Sequence, residues 1–293
     1  MKQNRYKQIN WYPGHMFKSF KIIEKELKMM DIVFLLIDAR IPYSSMNPKI
    51  LSILKNKPTI IIFNKKDLAD QSNLTKWINY YENEGFNTIS IDARTINPDI
   101  IYKMSYDVLK DKILRDEKRG LKIRNFKTIV LGIPNVGKST LINNLAKRRS
   151  AKVGNKPGVT KTKQWVKLDE GFDLLDVPGV LWPKFEDDVV ALNLAVTGAI
   201  KDDILPLDEV CYYLISYMQK HYLNNLKERY SDEINENQDF VEVLDIIGTR
   251  RGALISGGEI DYERVYNIIL HDFRNKQLGQ VSLDEIWEKM RKD

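Results

Sequence analysis

The chain has 293 residues, of which 43% are hydrophobic and 29% charged, a balance typical of a folded soluble protein of about two domains. Its apolar runs fall far short of the roughly 20 residues that span a membrane, and the N-terminus lacks the apolar core of a secretory signal, so we expect a cytoplasmic protein with no membrane association. A single cysteine, Cys211, excludes an internal disulfide, and the three histidines, His15, His221 and His271, are too widely spaced to indicate a metal site.

Strands and helices alternate in the predicted secondary structure of the first two thirds of the chain. Short β-branched, apolar runs are typical of buried strands in a parallel sheet, and the segments between them have the helical spacing of apolar residues. This alternation predicts a doubly wound α/β domain. The predicted strands are 31–38, 58–63, 87–91, 126–131, 164–168 and 172–176, and the predicted helices between them include 72–84, 98–118 and 140–147.

A candidate base-reading motif, Asn64-Lys65-Lys66-Asp67, follows the second predicted strand. It lies at the carboxyl end of that strand, where open α/β sheets bind ligands. The two oxygens of Asp67 can accept hydrogen bonds from N1–H and the 2-amino group of guanine, whereas adenine has no 2-amino group and no N1–H. Lys65 can lie across the base, and Asn64 can brace the loop. The motif therefore predicts guanine recognition.

The tripeptide Asp92-Ala93-Arg94 follows the third predicted strand and is a second candidate for base contact. We expect Asp92 to belong to this site and the Ala93 amide to face guanine O6. The same three residue types occur at Asp38-Ala39-Arg40, after the first strand. The later copy is favoured only by its position after the base-reading motif.

Positive charge is concentrated in the middle of the chain. Residues 110–167 contain 17 Lys and Arg against 3 acidic residues, whereas residues 201–293 contain 12 against 19. A basic patch of this size attracts phosphate polymers such as RNA. A solvated lysine-rich face is the simpler alternative, and charge alone does not decide between them.

A phosphate-binding loop is predicted at Gly132-x4-Gly137-Lys138-Ser139, between a strand and a helix. Backbone amides of such a loop surround the β-phosphate, and Lys138 neutralises the β and γ oxygens. The Ser139 hydroxyl is a candidate Mg²⁺ ligand. The nucleotide-binding residues predicted here are Asn135, Val136, Gly137, Lys138, Ser139 and Thr140.

A candidate switch motif, Asp176-Val177-Pro178-Gly179, ends the last predicted strand. Asp176 is expected to hold Mg²⁺ through water, and the Gly179 amide to meet the γ-phosphate. Thr160, in the polar loop 156–160, is the candidate for a second Mg²⁺ ligand, and Thr162 competes for that role. Together these residues predict a site that distinguishes GTP from GDP.

The order of these motifs is unusual, because the base-reading motifs precede the phosphate-binding loop. In an ordinary GTPase the phosphate-binding loop comes first, so the order predicts a circularly permuted GTPase domain, which we assign to residues 1–200. Permutation preserves a sheet when the original termini were close together. Residues 201–293 predict a small helical domain, with helix-like patterns broken at Gly248 and Gly257-Gly258.

Together with this motif order, five further segments make the chain resemble the YlqF/RbgA family of permuted ribosome-assembly GTPases. The resemblance covers nearly the whole chain. It implies a GTPase that acts late in maturation of the large ribosomal subunit, binds its rRNA and is stimulated by it. The segments are Trp11-Tyr-Pro-Gly-His-Met16, Asp38-Ala-Arg-Ile-Pro42, Leu181-Trp-Pro-Lys-Phe-Glu-Asp187, Ala195-Val-Thr-Gly-Ala-Ile-Lys-Asp202 and Arg251-Gly-Ala-Leu-Ile-Ser-Gly-Gly258.

The resemblance also nominates catalytic groups. Val180 stands where many GTPases have a water-orienting glutamine, and an apolar side chain cannot orient water. The family resemblance points instead to His15 as the catalytic residue beside Lys138; contact of His15 with RNA phosphate or solvent is the alternative. Asn135 resembles the position with which some GTPases hold K⁺ beside the phosphates, and a simple loop hydrogen bond is the alternative there.

The expected partners are GTP or GDP with Mg²⁺, and the large ribosomal subunit with its rRNA, bound by a monomer. The main RNA contact is expected on residues 110–167 and the N-terminal arm, with local basic faces at Arg250, Arg251, Arg274 and Lys276. Two other functions remain open at this stage. One is an RNA-binding scaffold that uses GTP as a structural ligand with little hydrolysis, and the other is a GTPase acting in tRNA modification.

Overall fold

A six-stranded sheet lies at the centre of the protein. The computed structural model describes residues 14–54, 57–121, 124–146, 163–168, 170–182, 185 and 187–286, with the backbone alone for 14–19. The strands are β1 Ile32–Asp38, β2 Thr59–Asn64, β3 Asn87–Ser90, β4 Phe126–Gly132, β5 Gln164–Leu168 and β6 Phe172–Asp176. Their order across the sheet is β3-β2-β1-β4-β6-β5, and all neighbours are parallel except β5, which runs antiparallel to β6.

The central strands β1 and β2 are buried along their whole length. Their continuous apolar sequences fit this position, because a parallel sheet covered on both faces leaves no polar side. The edge strand β5 alternates exposed and buried residues over its second half. All six predicted strands are confirmed, with ends that differ from the prediction by one residue at most.

Helices cover both faces of the sheet. Several begin at side-chain caps: Asp70 accepts a hydrogen bond from the Asn73 amide at 2.8 Å, and Asn97 precedes Pro98 at the start of the longest described helix. The helices are α1 Gly14–Leu27, α2 Pro48–Leu54, α3 Gln71–Asn83, α4 Pro98–Lys118, α5 Lys138–Ala146, α6 Asp188–Val196, α7 Leu207–His221, α8 Leu223–Arg229, α9 Phe240–Arg251 and α10 Tyr262–Arg274. No helix of the described ranges is long and apolar enough to cross a membrane.

Alternate residues of β1 point into two different cores. Val33, Leu35 and Ile37 pack in a cluster with residues of α1, α2 and α3, in which Trp77 is fully buried. Ile32, Phe34 and Leu36 face a larger cluster. That larger cluster runs from α4 and α5 through α6 into the helices after residue 205, so the sheet and the helical region share one continuous core. The domain boundary at residue 200 stays a prediction.

The helical region differs from its prediction at one glycine. Gly248 lies inside α9 and does not break it. A Cβ atom there would approach the Ile260 side chain within 2.8 Å, so glycine permits close packing of the following loop against the helix. Gly257 and Gly258 do interrupt the helices, in a loop where both have positive φ angles of 100° and 85°.

After α10 the chain returns to the sheet domain. We call residues 280–286 the C-terminal strap. The Val281 amide donates to the Leu68 carbonyl at 3.0 Å, and the Leu283 amide donates to the Arg40 carbonyl at 2.9 Å. The strap therefore fixes two loops at the carboxyl ends of β1 and β2.

Asp284 anchors the strap in the interior. Its carboxylate accepts hydrogen bonds from the Ser44 amide at 2.7 Å, the Ser44 hydroxyl at 2.6 Å and Asn193 Nδ2 at 2.8 Å. Its carbonyl accepts from Trp77 Nε1 at 3.0 Å. Burial raises the pKa of Asp284 to about 6, although the Ser44 and Asn193 hydrogen bonds oppose the shift. The strap, α6 and the loop after β1 are thus tied to one carboxyl group.

Candidate nucleotide-binding site

The loop between β4 and α5 has the backbone that its glycines predict. Gly132 and Gly137 have φ angles of 149° and 104°, which residues with a Cβ atom rarely adopt. A Cβ atom on Gly137 would overlap Nδ2 of Asn64. The first helical turn of α5 begins at Lys138, so its backbone amides face the loop, as in a phosphate-binding site.

Lys138 is buried and folds back over this loop. Its Nζ donates to the carbonyls of Gly132 at 3.2 Å and Ile133 at 2.9 Å. Burial lowers the pKa of Lys138 to about 8, and the nearby Asp176 carboxylate opposes the shift. An ammonium group desolvated in this way gains strongly from an anionic partner such as a phosphate.

Asn64 joins the base-reading side of the site to the phosphate-binding loop. Its Nδ2 donates to the Val136 carbonyl at 2.7 Å, and its Oδ1 accepts from the Ala93 amide at 2.9 Å. All these groups are buried. The expected brace at Asn64 is thus present. The contact of the Ala93 amide with guanine O6 stays a prediction, because here that amide donates to Asn64.

Lys65 has a left-handed backbone, with a φ angle of 63°, and its Nζ donates to Asp38 at 2.9 Å. Asp38 also accepts a bidentate hydrogen bond from Arg40, at 2.9 and 2.8 Å. Burial raises the pKa of Asp38, but Arg40 and Lys65 outweigh it and hold that pKa well below its usual range. The earlier Asp-Ala-Arg copy therefore positions Lys65. The adjacency of β1 and β2 was the signal that could have identified this role of Asp38.

Asp67 lines the site and has one carboxylate oxygen without a partner among the described residues. Its Oδ1 is buried and has no hydrogen-bond partner among the described residues, whereas its Oδ2 accepts from Arg94 Nη2 at 2.7 Å. A buried acceptor without a donor is costly, so such atoms commonly mark a ligand position. The Watson–Crick edge of guanine supplies two donors that fit a carboxylate.

The segment after β6 packs tightly against the phosphate-binding loop. A Cβ atom on Gly179 would lie within 2.6 Å of the Pro134 nitrogen, and the Val180 amide donates to the Gly132 carbonyl at 3.3 Å. The side chain of Val180 is buried in the core. It is therefore directed away from solvent and cannot act on water, as the sequence predicted.

A cavity of about 380 Å³ opens between these loops. Part of the cavity wall was not predicted from the sequence. Thr197 and Gly198, which follow α6, and Arg274, which ends α10, also line it. Its lining brings together eight of the predicted nucleotide-binding or metal-ligating residues, namely Asn64, Lys65, Asp67, Asp92, Ala93, Asn135, Gly137 and Thr140.

Asn135 connects the phosphate-binding loop to this missed wall. It has a φ angle of 55°, and its Nδ2 donates to the Gly198 carbonyl at 2.7 Å. Arg274 caps the end of α6, donating to the carbonyls of Ala195 and Val196 at 2.9 and 2.8 Å. Its guanidinium also pairs with Asp202, at 2.7 and 2.9 Å. Arg274 is therefore a structural clamp, which corrects its expected place on a basic surface.

Of the remaining predicted residues, some lie in the structure beside the cavity and others lie outside the described residues. Val136 is buried below the loop, and Asp176 is buried at the end of β6, with Ser139 in the first turn of α5. Oxygen ligands of this kind suit Mg²⁺, and no cluster of three or more His, Cys, Asp or Glu competes for a metal in the described part of the chain. The side chain of His15 and all of Thr160 and Thr162 lie outside the described residues.

These features define a circularly permuted P-loop GTPase domain followed by a helical region. They are the sheet order, the loop between β4 and α5, and the base-reading motif at the end of β2. A family model described as "50S ribosome-binding GTPase" matches residues 127–246. Ribosome biogenesis GTPase A of Bacillus pumilus is 45% identical over 280 residues, covering 94% of this chain and 98% of that protein. The protein of the same name from Thermotoga maritima is 28% identical over 276 residues, covering 94% of each.

A solved structure, GNP-bound YlqF from T. maritima, has the same fold, with a TM-score of 0.64 and 23% identity over 92% of this chain and 98% of that one. The extent and identity of the Bacillus match decide the family. The chain belongs to the ribosome biogenesis GTPase A family, and it is a GTPase of ribosome assembly.

Proposed function

We propose that this GTPase binds precursors of the large ribosomal subunit through their rRNA, promotes late maturation and leaves in a nucleotide-dependent step. The observation that carries the nucleotide dependence is the composition of the cavity wall. Thr197, Gly198 and Arg274 line the same cavity as the base-reading and phosphate-binding loops. A change at the phosphates is thereby transmitted to the helical region.

In this proposal GTP lies in the cavity with guanine at Asp67 and the β,γ-phosphates over Lys138. Phosphate oxygens replace the loop carbonyls as acceptors for Lys138. Ser139, Thr160 and, through water, Asp176 would hold Mg²⁺, which would neutralise charge that develops on the phosphates. The Gly179 amide then meets the γ-phosphate, and loss of that phosphate releases the segment that packs on Pro134.

Exposed cations support an RNA contact on the outer side of α4. Lys110, Arg115, Lys118 and Arg119 are all exposed there. They lie within about two and a half helical turns at the C-terminal end of α4, so positive charge is concentrated on that part of the helix. Phosphate contacts of this kind carry affinity that falls steeply with salt.

The test is cosedimentation with immature and mature large subunits in GTP, GDP and a non-hydrolysable analogue. We expect binding to immature subunits with the analogue, and release with GDP. The double variant Lys110→Glu/Lys118→Glu should bind weakly at low salt, and its deficit relative to the wild type should shrink as salt rises, because salt screens the same contacts. The control Lys76→Glu/Lys220→Glu makes the same charge change on α3 and α7 at exposed positions and should bind normally. Equal binding in all nucleotide states would contradict the proposal.

We assign water activation to His15 from the family resemblance, since Val180 is apolar and buried in the core and cannot orient water. Subunit-stimulated phosphate release should fall in His15→Ala at least as far as in a variant that binds subunits poorly. The GDP affinity of His15→Ala should stay unchanged. Lys138→Ala should lose turnover and nucleotide affinity together. Normal stimulated turnover in His15→Ala would remove His15 from the mechanism. Negligible stimulated turnover of the wild type would favour the scaffold function instead.

A K⁺ site beside Asn135 is the second part of the catalytic proposal. Since Asn135 Nδ2 donates to Gly198, its Oδ1 is directed the other way and is the atom offered to the ion. K⁺ adds positive charge next to the phosphates. Turnover in K⁺ should exceed turnover in Na⁺, and Asn135→Ala should abolish the difference. Equal rates in the two salts would exclude this role.

A further inference from the structure

Two carboxylates and one guanidinium form the base end of the cavity. Arg94 donates from Nε and Nη2 to the two oxygens of Asp92, both at 2.9 Å. The same Nη2 donates to Asp67 Oδ2 at 2.7 Å. One arginine therefore bridges two acidic side chains, and all three residues line the cavity.

We propose that Arg94 is a specificity-determining positioning residue, which orients Asp67 for guanine and offsets the negative charge of Asp92. The inference rests on the proposed position of guanine at Asp67. Arg94 occupies one lone pair of Oδ2 and leaves Oδ1 buried and available. Because each carboxylate oxygen can accept two hydrogen bonds, Asp67 can receive N1–H and the 2-amino group while it stays bound to Arg94.

The reason for the bridge is the charge of Asp92. Without Arg94, the wall would carry two carboxylates that share no cation, and such a pair favours protonation or separation of one member. Either change removes an acceptor from guanine. The hydrogen bond from Arg94 lowers the pKa of Asp92, although burial raises it, which favours the ionised form of Asp92.

Guanine recognition has a signature that general stability lacks. Hypoxanthine keeps N1–H but has no 2-amino group, so IDP makes one hydrogen bond to Asp67 where GDP makes two. A misplaced carboxylate loses the second bond, which reduces GDP binding more than IDP binding. The ratio of the two affinities therefore reports the orientation of Asp67.

The experiment measures GDP and IDP affinities of the full chain by fluorescence titration. In Arg94→Ala we expect GDP affinity to fall about tenfold and IDP affinity about twofold, since the bridge is largely solvent-exposed and worth less than a buried one. Asp92→Asn combined with Arg94→Ala should regain most of the GDP preference, because the repelling charge is gone. Arg264→Ala removes an exposed arginine elsewhere and should change neither affinity.

Asp67→Asn separates the two levels of the argument. If Asp67→Asn leaves the GDP preference intact, the position of guanine is wrong. If Asp67→Asn changes that preference while Arg94→Ala lowers both affinities equally or not at all, only the role of Arg94 is refuted. Failure of Asp92→Asn to rescue Arg94→Ala would refute the charge-offset argument.

Discussion

Gly137→Ala should disconnect the two halves of the nucleotide site. The φ angle of Gly137 is 104°, and a residue with a Cβ atom pays about 1–2 kcal/mol for a left-handed backbone. The new methyl group would also displace Asn64. That displacement breaks two buried hydrogen bonds, to Val136 and from Ala93, each worth about 0.5–1.5 kcal/mol. The total loss in unfolding free energy is about 2–5 kcal/mol.

Gly85→Ala is the matched control. Gly85 has a φ angle of 86°, and nothing lies within 4 Å of the position that a Cβ atom would take, so only the backbone cost applies. The difference between the two variants isolates the collision with Asn64. Guanine nucleotide affinity should fall sharply in Gly137→Ala and stay normal in Gly85→Ala.

A double-mutant cycle with Asn64→Ala provides the decisive measurement, by urea unfolding and GDP titration. In the Asn64→Ala background, Gly137→Ala should cost only about 1–2 kcal/mol, because no side chain remains to be displaced. The two single losses would then exceed the loss in the double variant. Additive losses would show that Asn64 does not link the loops, and the reasoning would fail.

Three further predictions concern charged side chains that are buried or partly buried. Burial raises the pKa of Asp284 to about 6, so this group contributes stability that is complete below pH 3.8 and is lost as pH rises through 6. In urea unfolding, Asp284→Asn should remove about 3 kcal/mol of the pH dependence of the unfolding free energy between pH 4 and 7. An unchanged pH profile would contradict this. Arg274→Ala should lower the unfolding free energy by about 2 kcal/mol and speed GDP release in stopped-flow measurements, with the exposed Arg250→Ala unaffected. Asp38→Asn leaves two cations without their buried partner and should cost about 3 kcal/mol in the same unfolding assay, an expectation that a loss below about 1 kcal/mol would refute.

The sheet and the loops at its carboxyl edge could be predicted because they follow from local patterns. Continuous β-branched runs predicted β1 and β2, and the glycines of the phosphate-binding loop predicted its backbone. Contacts between distant segments could not be predicted in this way. The hydrogen bond between Asn135 and Gly198 and the clamp at Arg274 depend on how α6 and α10 pack, which no local pattern encodes.

The hydrogen bond of the Ala93 amide to Asn64 could not be predicted for a related reason. Sequence order placed Ala93 in the correct loop, but the partner of its amide depends on register at the end of β3. There the amide donates to Asn64 Oδ1 at 2.9 Å. The same limit applied to Arg40, which looked like a chance repeat until the parallel pairing of β1 with β2 brought Asp38 beside Lys65.

The C-terminal strap also has a consequence for how the chain matures. It follows every other described helix and strand, yet Asp284 bonds to Ser44, 240 residues earlier. During synthesis from the N-terminus, the loops after β1 and β2 emerge long before the segment that fixes them. A nascent chain that ends before residue 280 would leave Trp77 without its acceptor and the Leu68 and Arg40 carbonyls without donors from the strap. The loops at the carboxyl ends of β1 and β2 would therefore acquire their last hydrogen bonds only after the whole helical region has been made.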